Sequence, residues 1–295
     1  MEKYCQSARS YFSFCILSFD KIHLPVAVIP AARFLAHLRE KGYSKFSLEL
    51  GLASLKWLNS FFPESSFLLD DRFLSKIVES AKRNTCSVKN QKLPFSKAMI
   101  RDMMVVPQNP SLEDLRNALI PSLSFSLLLR NDELIHLSCK HMSLANRGMT
   151  FSIVSSKTDT FRKGKTLYLA KQDGEFSVFF LLLRYMAKAG LRVGENKFLF
   201  GKIVVNDGVQ HLDGSASISY KECLEIVKQK VRKLGLDAHH YGTHSSRSGG
   251  ATLLASNVTP FELQVAGRWA DARSINAYVE IGEERRFGMS ENLFL

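Results

Sequence analysis

The chain has 295 residues, with 40 Lys and Arg against 28 Asp and Glu and a formal net charge of +12. A hydrophobic fraction of 45% that includes 21 Phe excludes a mainly disordered chain. No apolar run approaches the ~18–20 residues needed to cross a bilayer, so no membrane role is expected.

This length suggests two domains, each able to bury its own core. Residues 1–93 hold 14 basic and 8 acidic side chains, which leaves both parts of the chain net positive. That distribution suits a protein that meets a polyanion with more than one surface; a basic protein without a nucleic-acid role fits the charge equally well. Five cysteines, Cys5, Cys15, Cys86, Cys139 and Cys223, are scattered, with no C-x-x-C pair for zinc or redox chemistry. A reducing intracellular compartment is expected, and no metal or other cofactor.

In chain order, residues 1–23 read as an N-terminal tail. Within them YFSFCILSF, Tyr11 to Phe19, has the core length of a signal peptide, but it lacks a strong basic lead-in and meets Asp20 and Lys21 at once. Helices follow. Ala31 to Lys41 carries Phe34, Leu35 and Leu38 at helical spacing and stops at Gly42; Leu48 to Phe62 ends before Pro63; Asp71 to Arg83 repeats Phe73, Leu74, Ile77 and Val78. The polar stretch Asn84 to Leu93 loses this period, so residues 24–93 are expected as one helical domain and 94–295 as a second.

Past the boundary, Pro94 to Met104 reads as a helix, and Pro110-Ser111 with Asp114 as the cap of another, which Pro121 should break or kink. Met149 to Val154 and Thr166 to Ala170 read as strands flanking the basic loop SSKTDTFRKGK, and Gly174 to Ala189 reads as a helix. Tyr220 to Leu234 is amphipathic: Leu224, Val227, Val231 and Leu234 face inward, and Lys228, Lys230, Arg232 and Lys233 crowd the other side. That basic face is either simply solvated or tracks phosphates. From Ser245 onward the chain reads as mostly helical.

One constellation carries chemistry. His244 and Arg247, at i and i+3 on a helix, share a face and can reach one phosphate. Downstream lie Gly267-Arg268-Trp269 and, nine residues past the tryptophan, Tyr278; upstream lie Arg130 in LRNDEL with Glu133, and then Lys157. In this order the sequence resembles the tyrosine recombinase, or phage integrase, family. Such proteins show an Arg in an L-R-x-S-E-L-x-x-L segment, a hairpin Lys, an H-x-x-R pair, a His or Trp, and a Tyr about nine residues later. The match is Arg130, Lys157, His244 with Arg247, Trp269 and Tyr278, with Glu133, Leu134 and Leu137 holding the register of the first motif. Asp132 stands where Ser is usual, and LSFSLLLR lacks the T-G that many members carry before the Arg. Lys163 and Lys165 share the loop with Lys157 and are alternatives to it.

The resemblance implies a mostly α, α+β architecture with a small sheet: a helical core-binding domain and a catalytic domain that close as a C-shaped clamp on double-stranded DNA. It implies a site-specific recombinase or integrase of a mobile element, independent of metal and ATP, acting as a homodimer on each site and a homotetramer in synapsis. The protein would then be intracellular and DNA-associated, in the nucleus if eukaryotic and otherwise in the cytoplasm. Tyr278 would be the nucleophile, Arg130 and Arg247 would neutralise the phosphate, His244 and Trp269 would hydrogen-bond it, and Lys157 would protonate the leaving oxygen. A DNA-binding relative without recombination activity and a type IB topoisomerase-like enzyme remain as alternatives.

Overall fold

A computed structural model describes residues 2–62, 64, 69–84, 92–153 and 164–279. The chain divides into two compact units, Met1–Asn90 and Gln91–Leu295.

The first unit contains four helices among its described residues: α1 (Glu2–Phe19), α2 (Val28–Glu40), α3 (Lys45–Asn59) and α4 (Arg72–Asn84). The expected tail over residues 1–23 is overturned, because residues 2–19 are helical and pack on α3. Ala8, Tyr11, Phe14 and Cys15 are buried there, whereas Leu17 is 86% exposed. The apolar run YFSFCILSF therefore lies in a helix that buries only one side of it, Tyr11, Phe14 and Cys15, and leaves Ile16 and Leu17 exposed. Its buried side chains join Phe34, Leu35, Leu38, Leu48, Leu55, Leu69, Leu74 and Val78 in one core. Helix α2 opens three residues before the expected start, with Pro30 in its first turn, where the missing N–H would have had no helical partner. Buried Asn59 fixes the approach to α2: its Oδ1 accepts from Val26 N at 2.8 Å, and its Nδ2 donates to Val26 O at 2.8 Å.

In the second unit α6 (Leu112–Ser126) is the central helix, with α5 (Lys97–Met104), α8 (Val178–Ala189), α9 (Tyr220–Lys233) and α10 (Thr243–Leu254) packed against it. Ser111 caps α6 and closes a capping box with Asp114, as the sequence suggests. Pro121 does not end the helix. Every residue from Ala118 to Phe125 is buried, and the Ser122 hydroxyl donates back to Ala118 O at 2.9 Å, so tertiary packing outweighs the hydrogen bond that proline removes.

The remaining elements are α7 (Asn131–Ile135), β1 (Met142–Ala145), β2 (Gly148–Ile153), β3 (Lys165–Ala170), β4 (Gly201–Asn206), β5 (Val209–Ser217) and α11 (Pro260–Gly267), with a short 3₁₀ helix over Ala272–Ala277. Strands β2 and β3 pair antiparallel from Gly148 opposite Ala170 to Ile153 opposite Lys165, and β1 adds to the free edge of β2. A separate β4–β5 hairpin turns at Asp207-Gly208, both at positive φ. The expected class, mostly α with a small antiparallel sheet, is what the chain adopts.

Helix α10 approaches its neighbours unusually closely. A Cβ on Gly249 would stand 2.0 Å from Phe95 O, and one on Gly250 would stand 2.3 Å from Phe125 O. Two consecutive glycines thus let α10 lie against α6 and the segment that leads into α5. Among the described residues no helix is long and apolar enough to cross a membrane, and no His, Cys, Asp and Glu cluster could hold a metal.

Candidate active site

Five of the side chains singled out in the sequence come together in the second unit. Arg130 is the N-cap of α7, where the chain leaves α6. Its Nη1 donates to Glu133 Oε1 at 2.7 Å and its backbone N–H to Glu133 Oε2 at 2.9 Å. Glu133 is only 4% exposed, so this is a buried pair and not a solvated ion pair. Burial opposes ionisation of that carboxyl. The charge of Arg268 and hydrogen bonds from Arg130 and Arg268 outweigh it and hold the group below its ordinary range.

Arg247 lies on α10 and is fully buried. Its Nη1 donates to Leu128 O and its Nη2 to Gly267 O, which spans the ends of α6 and α11. Loss of solvent, followed by the charges of Arg130 and Arg268, lowers its pKa, yet a guanidinium so placed stays protonated at neutral pH. Its Cζ stands 4.7 Å from the Trp269 ring centroid and 5.0 Å from that of Tyr278, within cation–π range of both. The two rings are 5.4 Å apart.

Trp269 is buried against the backbone that precedes it. A Cβ on Gly267 would fall 1.8 Å from its Cζ3, so only glycine permits this placement. Its indole N–H is buried and finds no acceptor among the described residues. Tyr278 ends the 3₁₀ helix; its carbonyl accepts from Thr252 Oγ1 at 3.3 Å, which ties it to α10. His244, in the first turn of α10, is solvent-exposed. Partial desolvation and the nearby Arg247 and Arg130 charges lower its pKa, favouring the neutral imidazole.

Lys157 and Lys163 fall outside the described residues, as does the tail after Val279. Lys165 opens β3 and lines a groove of about 430 Å³ with Leu128, Leu254, Val265 and Arg268. The expected basic face of α9 is only partly realised. Arg232 and Lys233 are exposed, with Arg232 Nη1 bonded to Glu225 Oε1 at 2.7 Å, and Lys228 is half-buried. Lys230 departs from it: its ammonium turns back to donate to Met103 O at 2.8 Å, and burial lowers its pKa.

Sequence reasoning missed Arg268, which is buried in the cluster, though less completely than Arg247. It ends α11 in the left-handed region, φ 55°, and its guanidinium reaches Glu133 Oε2 at 2.6 Å. Its position beside Trp269 was the available signal, but nothing in the sequence separates a buried arginine from a solvated one.

No family model matches the chain. A curated integrase/recombinase xerD homolog of Selenomonas ruminantium is 25% identical over 173 residues, 58% of this chain and 49% of that protein. The chain thus spans about half the length of the curated relative it matches. Among solved structures, an XerH site-specific recombinase bound to a palindromic difH substrate in a post-cleavage complex superposes with a TM-score of 0.69 at 16% identity, covering 98% of this chain and 78% of that one. The Tn1549 transposon integrase in complex with transposon right end DNA gives a TM-score of 0.61 at 15% identity, with 98% and 99% covered. A lambda integrase dimer bound to a COC′ core site gives 0.54 at 13% identity, with 94% and 87% covered. These likenesses establish the fold, which is that of the tyrosine recombinases.

Proposed function

We propose that this chain, with its tyrosine recombinase fold, is a site-specific DNA recombinase or integrase of a mobile element that cuts and rejoins duplex DNA through a 3′-phosphotyrosyl intermediate. One observation carries the reading: the Arg247 guanidinium lies 4.7 Å from the Trp269 ring and 5.0 Å from the Tyr278 ring, in a cluster that also holds Arg130 and His244. A cluster of two guanidiniums and an imidazole, with a phenol beside it and an indole N–H that finds no acceptor among the described residues, is suited to a phosphodiester.

In this reading Tyr278 gives its phenolic proton to the acceptor nitrogen of neutral His244, Tyr278 Oη attacks the scissile phosphorus, the bond to the 5′ oxygen breaks, and the phosphate is left on the phenol. Arg130 and Arg247 neutralise the non-bridging oxygens as charge builds in the pentacoordinate state. A guanidinium has five N–H donors, and Arg247 commits two of them to carbonyls, so donors remain for phosphate. Because the Tyr278 ring lies beside this buried guanidinium, the phosphate reaches it only when the ring moves aside. Neutral His244 offers one donor and one acceptor, and Trp269 Nε1 offers a donor. Lys157, or Lys163 or Lys165 from the same loop, protonates the leaving 5′ oxygen. Attack by a new 5′-hydroxyl reverses the sequence and needs no ATP.

Positive charge in both parts of the chain suits binding to duplex DNA, because phosphate neutralisation supplies much of the affinity. The family resemblance adds a homodimer on each site and a homotetramer in synapsis. The test is a nicked, labelled duplex carrying the site that the protein selects from a random-sequence pool. A covalent adduct that is absent in Tyr278→Phe supports the reading. Intact DNA binding with no adduct supports the inactive DNA-binding relative, and relaxation of a supercoiled plasmid carrying the same site without strand transfer supports a topoisomerase-like enzyme.

A further inference from the structure

We propose that Arg268 is a positioning residue that sets the orientation of Arg130 by clamping Glu133 from the opposite side; this rests on the recombinase reading above. Four acceptors surround the Arg268 guanidinium. Nη2 donates to Glu133 Oε2 at 2.6 Å and Leu128 O at 2.8 Å, and Nη1 to Ala266 O at 3.0 Å and Leu127 O at 3.1 Å. The side chain is 4% exposed and that of Glu133 is 1% exposed, so the ion pair lies out of solvent. Arg268's own carbonyl in turn lies 3.4 Å from Arg130 Nη2. Arg130 is therefore gripped at two points, by the Glu133 carboxylate and by the Arg268 backbone, and both depend on the same residue.

The direction of dependence follows from burial. A carboxylate this deep stays ionised only while cations and N–H donors compensate it. Without Arg268, Glu133 retains Arg130 as its sole charged partner among its described contacts, and protonation at moderately acid pH would release the Arg130 fork. The backbone supports the same conclusion. A non-glycine residue at φ 55° is uncommon and persists where its surroundings over-determine it, and four side-chain hydrogen bonds do so here.

The test uses the full chain and the selected duplex in single-turnover cleavage at saturating DNA. Arg268→Ala is expected to lower the cleavage rate on the order of 100-fold, the scale of misplacing a reacting group by about 1 Å. DNA affinity should change little, and the acid limb of the rate–pH profile should move to higher pH as Glu133 protonates more readily. Arg268→Lys, which keeps a charge beside Glu133, should recover part of the rate. If Arg268→Ala fails to fold, Arg268→Lys and Glu133→Gln carry the same comparison. A rate close to wild type, a loss of affinity equal to the loss of rate, or an unmoved acid limb would overturn the proposal. If wild type forms no adduct, the recombinase reading fails and the positioning role is judged separately: in nitrogen-15 spectra of the arginine side chains followed as pH is lowered, hindered rotation of the Arg130 Nη groups should be lost at higher pH in Arg268→Ala than in wild type. Loss at the same pH in both would refute the positioning role.

Discussion

Replacing Gly249 with alanine tests whether close approach of α10 is what assembles the site. The new Cβ would stand 2.0 Å from Phe95 O and 2.9 Å from Phe95 C and N, all backbone atoms that no rotamer change can move. Ordinary van der Waals contact begins near 3.4 Å, so α10 and the Phe95 segment must part by about 1.4 Å. Phe95 N–H donates to Ser245 O at 3.0 Å across that seam, and such a shift breaks the bond. Overpacking of ~1–3 kcal/mol plus a lost hydrogen bond of ~0.5–1.5 kcal/mol gives about 1.5–4.5 kcal/mol. For a unit of this size that corresponds to a Tm lower by about 3–18 °C. The second of the two tryptophans, Trp269, reports this unit when Trp57 is replaced by Phe, so thermal unfolding followed by its fluorescence measures the effect. Gly242→Ala on the same helix is the control, since its Cβ would meet nothing nearer than Lys92 Cγ at 3.5 Å, and it should cost under ~1 kcal/mol. Equal Tm values for Gly249→Ala and wild type would refute the reasoning.

Three further outcomes are expected. Because His244 has a folded pKa below its ordinary 6.5, the unfolded state binds more protons; its contribution to stability is complete above that value and is lost as pH falls through the folded pKa. His244→Gln should flatten this acid-side slope in urea titrations from pH 7.5 to 5, and an unchanged slope would contradict the assignment. On α9, Lys233→Ala should reduce the slope of log affinity against log salt by ~0.9 if Lys233 meets a phosphate, whereas Lys230→Met should leave it unchanged, because that side chain is half-buried and its ammonium is turned inward onto Met103 O. A fall in the slope for Lys230→Met would show that the ammonium reaches DNA. In the first unit, Asn59→Ala strands both polar groups of Val26 and should cost ~2–4 kcal/mol by urea unfolding followed at Trp57; a cost below ~0.5 kcal/mol would show that water replaces the amide.

How much of this was legible depends on the range of the forces involved. Capping boxes are local, and Ser111 with Asp114 marks the start of α6 directly in the sequence. The strands around the basic loop were legible from their β-branched and aromatic residues. Strands β4 and β5 were not, because Val204, Val205 and Val209 are exposed and the alternation along β5 covers Gln210 and Gly214 instead of a wholly apolar set; the Asp207-Gly208 turn was the one cue. The α1 residues read as a tail because their helical period only becomes meaningful once α3 is there to cover Tyr11 and Cys15. At the site, motif order singled out Arg130, His244, Arg247, Trp269 and Tyr278, side chains that the fold brings into one cluster. It gave no warning that Arg247 would be sealed by the carbonyls of Leu128 and Gly267, or that Arg268 would reach Glu133, since those contacts join segments more than a hundred residues apart or hang on backbone turns.

Leu128 adopts φ 48°, and its single carbonyl oxygen accepts from both Arg247 Nη1 and Arg268 Nη2. A carbonyl has two lone pairs, so two like-charged side chains are docked on one atom and saturate it. Their energies cannot then be apportioned one residue at a time. Removing either arginine relieves cationic repulsion on the survivor while leaving half of that oxygen's capacity unfilled, so a double-mutant cycle between them should show a non-additive remainder of ~0.5–3 kcal/mol.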